Sequence, residues 1–370
     1  MDVNLGDHVL HRHDGASRGV VAPATATAVV PRYSGISLPR ALLPRGIIPW
    51  ALVFALTFCA FGLVLSYIEG IPFTAPVLGK MPGVSMTYWV PLIAAIIGYL
   101  LLQICAAFVG RLIGVSHRSW GQVFRNAVDD YLLLGLFVLV VYVHFNMKMW
   151  VPLINPHLFD QDYYAVDLAL QPVLDGFLAV RQAIARILPS ADVWYLAGYM
   201  SIFVLSFLSH ALGDRRWHYH NLLGLLISQI LGPLSYLIAP AVGPFIYERG
   251  VSALATHTEL RMYNVYLQVR QGGAAWIAEH GGQFFTYPLA AMPSLHVGTM
   301  FVMVYYAVRA RLWVMPITLV AFGWIFIESV AARWHYLIDL PFGLLLAFLT
   351  IAISNQVCGT PPEPRRRYGR

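Results

Sequence analysis

The sequence predicts an all-α membrane protein, a polytopic bundle of about eight transmembrane helices with surface helices on its outer face. Three observations carry that reading. Hydrophobic residues fill 58% of the 370 positions and charged residues only 11%, with a mean hydropathy of +0.65, where a soluble domain carries roughly 25% charge. Apolar windows of about 20 residues, the length a bilayer crossing needs, recur along the chain. Arginines and lysines gather in alternate connecting segments.

Taken in order, residues 1–46 hold Pro, Ala, Thr and Arg without a continuous apolar stretch. They read as a disordered cytoplasmic tail, lacking the apolar core of a cleavable signal peptide. The transmembrane domain covers 47–355, with windows at 47–69, 88–109, 130–149, 193–213, 221–242, 295–313, 314–332 and 335–355. Only a tight turn before Pro316 parts the sixth from the seventh. Residues 356–370, ending PPEPRRRYGR, form a second cytoplasmic tail.

Two connections are long. Residues 150–192 contain LDGFLAVRQAIARIL, an amphipathic pattern that suits a helix lying on the membrane surface. Residues 243–293 contain VRQGGAAWIAEHGGQFFTYP, whose glycine pairs predict loops around a short helix. With the N-terminus inside, sixteen of the 24 lysines and arginines fall on the cytoplasmic side. Both termini are therefore expected there, with residues 243–293 outside. The net charge of +6 sits mainly in the tails and short loops, so it reads as topology rather than nucleic-acid binding. Three scattered cysteines, Cys59, Cys105 and Cys358, give neither a disulfide framework nor metal-ligand spacing.

On this map two histidines open spans at the outer surface: His296 in AMPSLHVGTM and His335 in RWHYLID. Asp339 follows His335 by four residues, so on a helix the two stack on one face. A carboxylate that accepts from one imidazole nitrogen fixes the tautomer and leaves the other nitrogen free to attack. Asp339 also lies about one turn inside an apolar span, where a carboxylate is costly and calls for a partner. Ser294 can cap its helix, whose free N–H groups then form an anion site; a plain structural cap is an even alternative. Arg333 adds a fork-shaped cation. His144, His210, His257 and His280 read as wet interfacial residues, and Glu328, near a helix end, as one that reaches water. Two histidines and an aspartate could also start a metal site, but no further ligand stands at fixed spacing, so no metal and no cofactor is expected.

PSLH (Pro293–His296) and HYLID (His335–Asp339) resemble the second and third motifs, P-S-x-H and H-x-x-x-D, of the type-2 phosphatidic acid phosphatase superfamily. YLIAPAVGP (Tyr236–Pro244) and KMWVPLINPHLFDQDYYAVD (Lys148–Asp167) are similar to its inositol phosphorylceramide synthase-like subgroup, so the resemblance spans residues 145–350. It implies that His335 is the nucleophile, that Asp339 orients it, and that His296 protonates the leaving oxygen. Arg333, Ser294 and Lys148 become the phosphate-binding candidates. The superfamily's phosphatases carry Ser-Arg seven and six residues before the third-motif histidine, where this chain has Glu328 and Ser329. Their K-x6-R-P motif is met only by Lys148 with Asn155-Pro156. These departures favour a phospholipid headgroup transferase of phosphoinositol type, moving the group from a phospholipid donor to a lipid-alcohol acceptor at the outer leaflet. A lipid phosphate phosphatase, with water as acceptor, is the alternative. The expected location is a bacterial inner membrane with the site facing outward.

Overall fold

The computed structural model describes residues 46–77, 83–112, 119–187, 191–248 and 253–359. Both predicted tails lie outside them except Gly46 and residues 356–359. Among the described residues the fold is all-helical: α1 (Ile47–Glu69), α2 (Gly83–Leu112), α3 (Trp120–Ile154), α4 (Asp160–Ala169), α5 (Gln171–Ala185), α6 (Ala191–Leu212), α7 (Arg215–Ile238), α8 (Ala253–His280), α9 (Leu295–Arg309), α10 (Met315–Ala331) and α11 (Asp339–Cys358).

Each of the eight apolar windows becomes a helix, but only α1, α2, α3, α6, α7 and α11 are long and apolar enough to cross a membrane. The chain is an integral multi-pass membrane protein. Of the about eight helices expected, α9 and α10 are the short ones, with 15 and 17 residues. At about 1.5 Å per residue they fall short of a hydrocarbon core of roughly 30 Å. At one end of each, irregular chain takes the place of further helix: residues 285–294 before α9 and 332–338 after α10 are mostly buried and non-helical. Such backbone is tolerated at membrane depth where protein or a cavity surrounds it. Both histidine motifs span a junction between this irregular chain and the helix that follows, α9 or α11.

α7 is the packed centre of the bundle and shares its buried face with α3, α9 and α11. α1 and α2 turn outward side chains such as Leu63, Val64, Ile97 and Leu101 to the surroundings, as lipid-facing helices do. At the end expected to face the cytoplasm, Arg215 grips Asp130 through two hydrogen bonds of 3.0 Å, and the Tyr99 hydroxyl donates to the same carboxylate. This pair, with Asp130 buried and Arg215 half-buried, holds α2, α3 and α7 together at that end.

The amphipathic stretch forms α5, the helix its pattern predicts, and α4 precedes it. The 243–293 segment carries more helix than expected: α8 reaches His280 as two helices joined across a kink, and the second is the short helix between the glycine pairs. One glycine of the first pair, Gly273, makes the kink (φ 59°, ψ −148°), a backbone conformation that residues with a side chain rarely adopt. The topology has a direct check. With Cys59, Cys105 and Cys358 replaced, a single cysteine placed between 270 and 285 should react with an impermeant maleimide in intact cells. Reaction only after membrane rupture would overturn the outside placement of that segment.

The candidate active site

The two histidine motifs meet because α9 and α11 touch backbone to backbone. A Cβ on Gly298 would lie 2.8 Å from the Gly343 carbonyl oxygen, and one on Gly343 would lie 2.5 Å from that of Ser294. Glycines at both positions therefore let the helices close to a distance no side chain would permit. The Ser294 N–H then donates to the Asp339 carbonyl at 3.2 Å. The His296 and His335 rings end 6.4 Å apart, centroid to centroid.

His335 precedes α11 rather than lying on it, so its link to Asp339 is made through a turn and not through the helical stacking expected. Its Nδ1 lies 2.7 Å from the Ala291 carbonyl oxygen and 3.1 Å from Asp339 Oδ2. Both partners only accept, so Nδ1 carries the proton and Nε2 is left with its lone pair. Asp339 Oδ2 also accepts the Tyr336 N–H at 3.0 Å, which wraps the turn around the carboxylate. The ring's orientation is thus fixed twice, once by a side chain and once by backbone.

His335 and His296 line one cavity of about 580 Å³, together with Lys148 and His144. The rest of the wall is mostly apolar, running along α3 and α6 to Phe137 and Phe203, whose rings meet at 5.3 Å. Tyr195 and Tyr199 pack on His296 at 5.1 and 4.7 Å. Lys148 makes no ion pair among the described residues, and its Nζ stands 5.5 Å from the centre of the Tyr236 ring. An ammonium held beside two imidazoles in an apolar chamber suits an anion.

Two expected phosphate-binding residues are placed otherwise. Arg333 is 1% exposed and does not line the cavity. Its guanidinium lies 2.9 Å from Asp167 Oδ2 and 2.9 Å from Glu248 Oε2, because a buried cation needs opposite charge close by. The Ser294 side chain makes no capping bond, and among the described residues its buried Oγ has no hydrogen-bond partner. Glu328 does not reach water; it pairs with Arg181 of α5 at 2.9 Å.

The sequence reading missed Asp160 and Asp167, two buried carboxylates seven residues apart on α4. Asp160 accepts the N–H groups of Val242 and Gly243 and the Tyr336 hydroxyl. Burial raises its carboxyl above the ordinary value, against the pull of those donors. Asp167 accepts from Arg333 and from the Leu337 N–H at 2.8 Å. Between them they grip the chain on both sides of His335. Their i, i+7 spacing, one face of a helix, was the available signal. His144, read as wet, is instead 3% exposed and faces the cavity. Its signal was the i, i+4 spacing to Lys148.

A family model described as PAP2 superfamily matches residues 157–353. The match covers just over half of the chain and includes both histidine motifs and α4, with Lys148 and His144 just upstream. No curated protein and no solved structure matches the chain. Taken with the paired histidines at the cavity, the match settles the family: the chain belongs to the PAP2 superfamily and is a membrane enzyme of phosphatase type, built for lipid phosphate chemistry.

Proposed function

We propose that this protein is a phospholipid headgroup transferase of the inositol phosphorylceramide synthase-like kind, working at the outer leaflet through a phospho-histidine. The observation that carries the reading is the double anchoring of His335 Nδ1, which leaves Nε2 as a nucleophile in a chamber shared with His296 and Lys148. Nε2 attacks the donor's phosphorus, and the bond to the lipid oxygen breaks as His296 gives that oxygen a proton. Lys148 meets the charge on the phosphoryl oxygens. An acceptor hydroxyl then attacks the phospho-histidine, passes its proton to His296, and returns the electron pair of the N–P bond to His335. The cycle closes with no net proton change.

Two features favour transfer over hydrolysis. Among the described residues the chamber is lined by one cation, Lys148, which matches the one charge of a phosphodiester better than the two of a phosphomonoester. Its walls along α3 and α6 are apolar enough to hold a second lipid. The test incubates purified protein with radiolabelled phosphatidylinositol, with and without ceramide or diacylglycerol. Label should move to a lipid product, and the acceptor should raise turnover well above the rate in water. Phosphate released from a phosphomonoester lipid as the dominant product would make the enzyme a lipid phosphatase.

A further inference from the structure

α4 sets one carboxylate, Asp160, behind the active site and outside its chamber. Asp160 is 2% exposed and does not line the cavity. Its partners are three uncharged donors, the N–H groups of Val242 and Gly243 and the Tyr336 hydroxyl. A neutral acceptor would satisfy them at a smaller desolvation cost. The charge has a use further along the chain of bonds.

That chain ends on His335. The Val242 N–H donates to Asp160 Oδ2 at 2.9 Å, and the same peptide group carries the Ala241 carbonyl. This carbonyl accepts the Ala291 N–H at 2.9 Å. The Ala291 carbonyl is the nearer of the two anchors of His335 Nδ1, at 2.7 Å against 3.1 Å for Asp339. A carboxylate that accepts from a peptide N–H polarises the group and makes its carbonyl a better acceptor; bonds in series reinforce one another. The path has little slack. Ala241, Ala291 and Tyr336 pack in one buried cluster. A Cβ on Gly243 (φ 135°) would lie 3.2 Å from the Trp334 carbonyl oxygen, one residue before His335.

We propose that Asp160 is a positioning residue for the nucleophile. Through the peptide group between Ala241 and Val242 it fixes the backbone anchor of His335 Nδ1, as Asp339 fixes the side-chain one. Asp160 touches no substrate; it helps decide which nitrogen of His335 is free and where that nitrogen points. This role deepens the reading of His335 as the nucleophile and rests on it. Since Nδ1 is held twice, loss of one anchor is tolerated and loss of both is not.

Two variants act on the first link. Asp160→Asn removes the charge and turns an NH2 group towards the Val242 N–H, donor against donor. Replacing Val242 by its α-hydroxy acid leaves Asp160 in place but puts an ester oxygen where the N–H was, which also weakens the Ala241 carbonyl as an acceptor. Each is made alone and together with Asp339→Asn. The burst of nitrophenolate from an alkyl nitrophenyl phosphodiester then gives separate readings. Its amplitude counts folded, competent enzyme, and its rate constant at saturation reports attack by His335.

Either variant alone should lower the rate constant by up to about tenfold, the worth of one hydrogen bond. Amplitude and the half-saturating substrate concentration should stay at wild-type values. With Asp339→Asn added, the rate constant should fall about tenfold or more below the product of the single effects, the coupling expected of groups that share one partner. Effects that merely multiply, or an unchanged rate constant at full amplitude, overturn the proposal. So does a loss of amplitude alone, which would make Asp160 a prop of the fold. A raised half-saturating concentration at an unchanged rate constant would move its effect to substrate binding and overturn it too. If Asp160→Asn yields no folded enzyme, the ester variant decides by the same readings, and failure of both to fold counts against the role. Wild-type enzyme that shows no burst and no label on His335 would instead remove the phospho-histidine reading, and this role with it.

Discussion

His335→Ala is expected to lose activity on every phosphodiester, while His296→Ala loses it only where the leaving group is poor. The nucleophile is needed whatever departs. A proton is needed only by a strongly basic alkoxide, such as that of a lipid alcohol; an aryl phosphate's phenolate leaves nearly unaided. General acid assistance is worth roughly 10²–10⁴-fold, so His296→Ala should fall by about that factor on lipid and keep much of its first-step rate on a nitrophenyl diester. Phospho-His335 should accumulate there, because deprotonation of the incoming acceptor is slowed. Asp339→Asn should be milder than in sites where a carboxylate alone sets the tautomer, for which about 10⁴-fold is lost. Here the Ala291 carbonyl, at 2.7 Å, still holds Nδ1–H. Equal failure of His296→Ala on both substrates, or survival of His335→Ala on either, would refute the assigned roles.

The second large effect concerns Arg333, whose guanidinium is held by Asp167 and Glu248 beside the active-site turn. Asp167→Ala removes one of its two carboxylates and the acceptor of the Leu337 N–H, leaving the guanidinium buried beside Glu248 alone. Breaking a buried pair by deleting one partner costs about 3–5 kcal/mol. The unfolding midpoint of the detergent-solubilised protein should drop accordingly. Arg333→Met combined with Asp167→Leu should recover part of the loss, since the buried charge is gone and Glu248 is partly exposed, while the Leu337 N–H stays without its acceptor. The binding of a lipid phosphate should survive in that double variant. If it disappears while the fold is intact, Arg333 does touch the substrate.

Much of this was legible in sequence because the informative signals are local. Apolar windows, the four-residue step from His335 to Asp339, and the amphipathic pattern of α5 each lie within a few turns of chain. The departures came where a residue's partner is remote in sequence. Arg333 read as a free cation because its counter-charge, Asp167, stands 166 positions earlier. Glu328 read as wet because Arg181 lies on a surface helix 147 positions away. His144 read as interfacial because the carbonyl that orients it, that of Gln229, is freed by Pro233 on another helix. The glycine pairs marked a break and a short helix between them, but not the long stretch of helix that precedes the first pair in α8.

The contact between Gly298 and Gly343 has one more consequence. It places no adjustable side chain between the helices that carry the two motifs, only carbonyl oxygen against α-carbon. Spacing set in this way has no rotamers to exchange, so it cannot drift when a neighbouring ring is replaced. The frame and the chemistry are therefore separable: substitution at His296 or His335 changes what the gap can do without changing its width. The seam works as a mechanical stop whose tolerance is smaller than a methyl group.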